Sequence, residues 1–213
     1  MPRQTKQHPE RGDARTRLLD AAVDVIRAKG FAATSVEDLC EAAAVTKGSY
    51  FHHFKTKEAL GVAAVRHWQA TSDGLLADAP YHAPDDPLDR LLAYVAFRKS
   101  IITGDIAEFS CLAGTMVQEM HATSPAIRDA CRDDMLGHAA TLEGDIAAAM
   151  KDRGISGDWT AESLARHTQT VLQGAFVIAK AGNDAELARE ALDHLGRYIR
   201  LLFNCPDTEE VLA

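Results

Sequence analysis

The stretch TSVEDLCEAAAVTKGSYFHHFKTKEAL, residues 34–60, predicts two short helices joined by a tight turn and followed by the start of a third helix. Thr34 or Ser35 can cap the first helix, because side-chain hydroxyls accept hydrogen bonds from the free N–H groups at a helix start. Residues 44–45 form the expected turn, and Thr46 caps the second helix. The side chains of the second helix are mostly short, polar or cationic, as in a helix that lies in a groove of DNA. The pattern predicts a helix-turn-helix.

The charge of the chain is divided unevenly. Residues 1–60 hold ten Lys and Arg against eight Asp and Glu, which leaves thirteen against twenty-three for the remainder of a chain with net charge -8. Between Glu41 and Glu58 there is no acidic residue, while three lysines and two histidines fall inside this interval. A binding surface for a polyanion explains this local gap in acidic residues.

The first residues of the chain form a separate segment. Residues 1–12 contain two prolines, a glycine and three basic side chains, and we expect a disordered basic arm there. Such an arm can follow the phosphates or enter the minor groove beside the main site, and it can equally serve only for solubility.

Four segments of the first quarter of the chain together resemble the TetR family of bacterial one-component transcriptional regulators. They are KGF at residues 29–31, TSV at 34–36, AAVTKGSYFHHF at 43–54 and KEAL at 57–60, within a match that spans about residues 12–62. The resemblance implies an all-α fold with an N-terminal three-helix DNA-binding domain and a C-terminal helical domain for ligand binding and dimerisation. It also implies a homodimer that binds a palindromic operator in double-stranded DNA.

Individual roles in the DNA-binding domain follow from reach and from this resemblance. Lys47 is long enough to reach a base edge or a phosphate, and Gly48 lets the backbone approach the duplex. By resemblance Tyr50, His53 and Lys57 occupy positions that commonly contact phosphates, although a solvated surface lysine is the plainer interpretation of Lys57. The residues expected at the DNA are Thr34, Ser35, Thr46, Lys47, Gly48, Ser49, Tyr50, His52, His53 and Lys57.

The remaining aromatic side chains of this segment are expected in the core. Phe51 and Phe54 are assigned to packing, and His52 is left open between a groove contact and packing. The expected domains are the arm at residues 1–12, the helix-turn-helix domain at 13–57 and the effector-binding and dimerisation domain at 58–205.

Beyond residue 60 the sequence shows helical periodicity without further motifs. A helix breaker-rich loop is expected at residues 78–87, and one long helix is expected from Pro125 to Met150. The last two helices, up to about Phe203, mix small and branched side chains that permit close helix approach, and by resemblance they form the dimer interface. Ordinary packing within one chain is the alternative. No apolar run long enough for a membrane span and no leader pattern is found, so a cytoplasmic protein is expected.

The four cysteines, at positions 40, 111, 131 and 205, match neither a zinc pattern nor a small disulfide scaffold. They are expected to be reduced thiols, and neither a metal nor a cofactor is predicted. Residues 109–119 are similar to a segment of TetR regulators that respond to electrophiles through a cysteine, which suggests a reactive thiol at Cys111 activated by Arg98 or Lys99. An inert buried cysteine is the alternative.

The effector of such a regulator would bind among the middle helices. The residues expected there are Phe97, Phe109, Cys111, Met116, Met120 and Phe176, and the same side chains would suit a plain hydrophobic core.

The sequence thus predicts a sequence-specific DNA-binding regulator, a repressor released by a small molecule or by cysteine modification. An architectural DNA-binding protein without an effector is the alternative. Catalysis built on Cys111 with His121 or His138 lacks any nucleophile-elbow, phosphate-loop or paired-carboxylate pattern, so an enzyme is not expected.

Overall fold

The computed structural model describes residues 13–205, and the arm predicted for residues 1–12 lies outside them. Within the described range the regular structure is helical, without a strand, and no helix there is both long and apolar enough to cross a membrane. A 3-10 turn occupies Pro80–His82. The helices are α1 (Ala14–Lys29), α2 (Val36–Ala42), α3 (Lys47–His53), α4 (Lys57–Ala77), α5 (Pro87–Ser100), α6 (Ile106–Phe109), α7 (Leu112–Met120), α8 (Pro125–Ala140), α9 (Glu143–Asp152), α10 (Ala161–Gly182) and α11 (Glu186–Leu202).

Side-chain caps start the first helices of the chain, including the predicted caps of the helix-turn-helix at Ser35 and Thr46. The Asp13 carboxylate accepts a hydrogen bond from the Thr16 N–H and begins α1, and Gly30, at φ +87°, ends this helix. Ser35 caps α2 in a reciprocal capping box with Asp38. Between α2 and α3 the chain turns through Ala44, which adopts a positive φ of 52° that is uncommon for residues other than glycine.

The described chain divides into two compact units. The first ends at Thr71 and also includes a later segment, Leu112–Cys131, which holds α7 and the first part of α8. In this unit α1 packs against α2, α3 and α7 around fully buried side chains such as Leu18 and Leu39. The predicted functional boundary between residues 57 and 58 stays a prediction.

The second unit comprises residues 72–111 and 132–205 of the described chain. Its core lies where α10 runs along α11, and α5 packs against α9 and α11. Ion pairs fix these helices to one another, for example Lys99 Nζ to Asp193 Oδ1 at 2.6 Å.

Two helix boundaries differ from those expected. The long helix predicted through Met150 is two helices, α8 and α9. The chain turns between them at Thr141 and Leu142, which are neither glycine nor proline. The Thr141 hydroxyl donates to the carbonyl oxygen of His138 at 2.7 Å, and this local bond accompanies the break. The helix expected to start near Phe109 starts instead at Leu112, after the separate short helix α6.

The predicted dimer helices each have a buried and an exposed apolar side. Several side chains expected at the interface, among them Leu172 and Ile199, are buried within the chain itself and belong to its core. Ile178, also expected at the interface, is exposed on α10, and three further apolar or aromatic side chains are exposed on these helices, namely Val177, Tyr198 and Leu201.

Candidate nucleic-acid interface

Helix α3 is the second helix of the helix-turn-helix, the one expected in the groove of DNA, and we call it the recognition helix. It presents an open, polar surface at its start. The Thr46 hydroxyl caps the helix by accepting a hydrogen bond from the Ser49 N–H at 3.1 Å. Thr46, Lys47 and Gly48 are exposed, and Ser49 is half-buried. A Cβ placed on Gly48 would have the Thr46 hydroxyl, 3.8 Å away, as its nearest neighbour, so the backbone here is open to a close partner. This is the surface that a helix needs in order to enter a groove.

Lys47 forms an ion pair with Glu37 of α2. The bond lowers the pKa of Glu37 and raises the pKa of Lys47 from their ordinary values. Both side chains are more than half exposed, so the pair is solvated and can exchange for a phosphate or a base edge. Nothing in the sequence indicates this partner, because Glu37 lies outside the acid-free interval and in a different helix.

The structure reverses the roles expected for two neighbouring aromatic residues. Tyr50 was expected at a phosphate, but it is 0% exposed and its hydroxyl has no hydrogen-bond partner within the described chain. Burial raises the pKa of this hydroxyl. Phe51 was expected in the core, but it is 47% exposed on the recognition helix. Phe54 is buried as predicted.

Tyr50 turns inward because it lies one helical turn before Phe54, and the two rings contact each other with centroids 6.1 Å apart. Phe51 therefore replaces Tyr50 among the candidate DNA contacts. Its aromatic character alone could not show this, since both residues suit a core.

The two histidines of α3 differ in exposure. His52 is exposed, which disfavours the alternative that it packs in the core, and His53 is half-buried. Their rings meet edge to face with centroids 5.0 Å apart.

Other predicted contacts are already engaged within the protein. Thr34 is buried and donates its hydroxyl to the Gly30 carbonyl oxygen at 2.7 Å, so it is not available at the surface. The Ser35 hydroxyl lies in the α2 capping box. Lys57 donates to the Ala32 carbonyl oxygen at 3.2 Å, and burial lowers the pKa of its ammonium group. A phosphate contact by Lys57 would require the side chain to leave this position.

The predicted effector residues are distributed over both units. In the second unit Phe109 contacts Phe176 with ring centroids 6.0 Å apart, and Phe97 contacts Tyr81 at 5.7 Å. Met116, fully buried, and Met120 belong to α7 in the first unit.

Cys111 is buried and immediately precedes α7. The two cations expected to activate its thiol are bound elsewhere. Lys99 donates to both carboxylate oxygens of Asp193, at 2.6 and 2.7 Å, and Arg98 contacts Tyr94 and His138. Among residues 13–205 no group of three or more His, Cys, Asp and Glu side chains is arranged to hold a metal ion.

A buried polar cluster joins α5 and α8 in the second unit. The His138 Nε2 atom lies 2.6 Å from the Tyr94 hydroxyl and 3.1 Å from Arg98 Nη1. Arginine can only donate, so Nε2 accepts and the imidazole is neutral. Burial and Arg98 lower the pKa of His138 to about 4, and burial together with the charge of Asp73 raises the pKa of Asp134 to about 6.

Comparison with known families assigns most of the chain. The family described as "Bacterial regulatory proteins, tetR family" matches residues 18–64, which contain the helix-turn-helix. The family described as "Tetracyclin repressor-like, C-terminal domain" matches residues 87–195, or 109 of the 213 residues.

Two named regulators are similar to this chain over most of its length. The transcriptional regulator AcuR of Cereibacter sphaeroides is 26% identical over 82% of this chain and 76% of its own. The transcriptional repressor NemR of Escherichia coli is 25% identical over 88% of this chain and 94% of its own. The crystal structure of its reduced form superposes with a TM-score of 0.72 over 86% of this chain and 95% of that one.

One similar structure contains nucleic acid. A cysteine mutant of the TetR-family regulator CifR, in complex with 26-bp double-strand operator DNA, has 21% identity and a TM-score of 0.73. The match covers 92% of this chain and 98% of that chain, and it concerns the fold.

Proposed function

The chain belongs to the TetR family of bacterial regulatory proteins, and from that premise we propose that it is a homodimeric transcriptional repressor that binds a palindromic operator through α3. The observation that carries this proposal is the surface of the recognition helix. Thr46, Lys47, Gly48 and His52 are exposed side by side with Phe51, while Tyr50 anchors the helix in the core.

The proposed dimer rests on the exposed apolar side of α10 and α11. Ile178 is 56% exposed and Leu201 is 72% exposed, and Gly174 has no atom near the position of its missing Cβ. Helices with small residues permit close approach of a second pair. Two heads related by a two-fold axis would bind half-sites about 34 Å apart, which gives a specificity that one short helix lacks.

The proposed signal is a small molecule or a modification of Cys111 in the effector and dimerisation domain, residues 58–205. The relative NemR is a named repressor whose structure is described as a reduced form, which supports control by oxidation or by electrophiles here. Because Cys111 is buried directly before α7, a bulky group attached to its sulfur is expected to disturb the packing at the start of this helix. The relatives are named regulators, which supports a regulatory rather than an enzymatic role.

The test is fluorescence anisotropy with duplexes that tile the DNA flanking the gene, together with scrambled duplexes. The proposal expects one duplex to bind on the order of a thousandfold more tightly than the scrambled ones. Lys47→Ala should weaken this binding, and Lys151→Ala, which removes an exposed lysine of α9, should not. Equal affinity for every duplex would instead indicate an architectural protein.

A second arm of the same assay tests the cysteine. Treatment with N-ethylmaleimide should release wild-type protein from the selected duplex and leave Cys111→Ser bound. If both proteins are released alike, control through Cys111 is wrong while specific DNA binding stands.

A further inference from the structure

The turn between α1 and α2 is held by two charged side chains from other helices. At the end of α7 the Glu119 carboxylate accepts a hydrogen bond from the Ala32 N–H at 2.6 Å. From α4 the Lys57 ammonium group donates to the carbonyl oxygen of the same residue at 3.2 Å. Both backbone polar groups of Ala32 are thus engaged by ionised groups, and such hydrogen bonds are stronger than neutral ones.

The local sequence makes room for Glu119. A Cβ on Gly30 would overlap the Glu119 carboxylate, and the φ of +87° at this residue is one that other residues rarely adopt. Lys57 adds a contact on the neighbouring residue, since its Nζ lies 4.6 Å from the centroid of the Phe31 ring. Three consecutive residues, 30–32, therefore contact the side chains of Glu119 and Lys57, which lie far away in the sequence.

A second set of contacts joins the start of α8 to α4. The Ser124 hydroxyl donates to the Glu58 carboxylate and also accepts from the Ile127 N–H at 3.2 Å, so one side chain caps α8 and binds α4. A Cβ on Gly61 would lie 2.8 Å from the Phe31 ring and 3.2 Å from Ile127 Cδ1. The segment Leu112–Cys131 thus contacts both α4 and the turn between α1 and α2. We name this segment the α7–α8 elbow.

The elbow connects the recognition helix to the rest of the chain. Ser35, the cap of α2, follows Ala32 by three residues, and α2 in turn packs against α3. At both ends, Leu112 and Cys131, the elbow continues covalently into the second unit. Loss of the Glu119 bond would therefore release the turn from which α2 and α3 are placed.

We propose that Glu119 and Ser124 are positioning residues for DNA binding, because Glu119 holds the turn before α2 and Ser124 joins the start of α8 to α4. This inference rests on the proposed function. It assigns a role in operator binding to two residues outside the helix-turn-helix, neither of which needs to touch DNA.

The test compares four variants of the full-length protein on the duplex that wild type selects. Glu119→Ala removes the acceptor that holds the turn and should lower affinity by up to about tenfold, because the free energy of one charge-assisted hydrogen bond limits the loss. Glu119→Gln keeps an oxygen that can accept from Ala32 and should restore most of the affinity. Ser124→Ala should weaken binding to a lesser degree. Gln118→Ala is the matched control, because the Gln118 side chain donates to the Gly114 carbonyl oxygen of its own helix.

Hydrogen exchange without DNA gives an independent measurement of the turn. The Ala32 amide should exchange faster in Glu119→Ala than in wild type and Glu119→Gln, while amides of the α1 interior should be unchanged. Wild-type affinity and exchange in Glu119→Ala would overturn the inference and leave the proposed function intact, and so would an equal loss in Gln118→Ala. If wild type itself selects no duplex, the proposed function fails and the inference about DNA falls with it.

Discussion

Glu37 of α2 forms an ion pair with Lys47, the first residue of the recognition helix. The acidic partner comes from the first helix of the same motif, so the strongest positive charge on α3 is held in place before it meets a duplex. This geometry makes Glu37 a competitor of the DNA for Lys47.

Glu37→Gln is therefore expected to raise affinity for DNA. The substitution frees Lys47 and removes a negative charge close to the phosphates, and we expect a gain of roughly two- to fivefold at low salt that shrinks as salt is added. Anisotropy titrations at several salt concentrations measure it. In a Lys47→Ala background the same substitution should give a smaller gain. An equal gain in both backgrounds would mean that Glu37 acts through general repulsion alone.

Substitutions of Tyr50 and Phe51 should have different effects, the first on stability and the second on DNA binding. Tyr50→Phe removes a buried hydroxyl that lacks a partner, so we expect it to raise the free energy of unfolding by about 1 kcal/mol and to leave DNA affinity unchanged. Phe51→Ala removes an exposed ring from the recognition helix and should weaken DNA binding with little change in stability. Urea denaturation and anisotropy on the same preparations measure both effects. If Tyr50→Phe instead weakens DNA binding, the Tyr50 hydroxyl contributes to DNA binding and its assignment to the core alone is wrong.

The parts of the fold that were predictable have local causes. The starts of α1, α2 and α3 follow from side-chain caps at Asp13, Ser35 and Thr46, each of which bonds within three residues of itself. Such signals are visible in the sequence because cap and partner are neighbours. The resemblance to a family added the functional class, which no local pattern contains.

The parts that were missed depend on distant partners or on a choice between equivalent residues. Glu119 and Ala32 are separated by 87 positions, and nothing near either residue indicates the other. Tyr50 and Phe51 are adjacent and both aromatic, so only the packed core decides which of them turns inward. The break between α8 and α9 falls at Thr141 and Leu142, which are neither glycine nor proline, and the hydrophobic periodicity therefore continued through it.

The exposed side of α10 and α11 should control the oligomeric state. A charge placed in the centre of an apolar interface is strongly unfavourable, so Ile178→Glu or Leu201→Glu should convert the proposed dimer to a monomer. DNA affinity should fall sharply, since a monomer loses one half-site. Leu136→Glu is the matched control, because Leu136 is also an exposed leucine, 49% accessible, but lies on α8. Light scattering after gel filtration measures the mass, and unchanged dimers in both α10 and α11 variants would exclude this face.

Asp134 and His138 are expected to affect stability in opposite directions as pH changes. The pKa of Asp134 is raised to about 6, so between about pH 4 and 6 the folded chain holds a proton that the unfolded chain has released, and stability falls as pH rises. The pKa of His138 is lowered to about 4, so up to about pH 6.5 the unfolded chain holds the extra proton and stability rises with pH. In wild type the two contributions largely cancel.

Variants of the two residues should separate these contributions. In Asp134→Asn only the His138 contribution remains, so the free energy of unfolding should rise with pH, and this variant should be more stable than wild type at pH 7. In His138→Gln only the Asp134 contribution remains, so the free energy of unfolding should fall with pH. Urea denaturation from pH 4.5 to 7.5 at fixed protein concentration measures both slopes, and parallel curves for the two variants would show that neither group is buried as the structure has it.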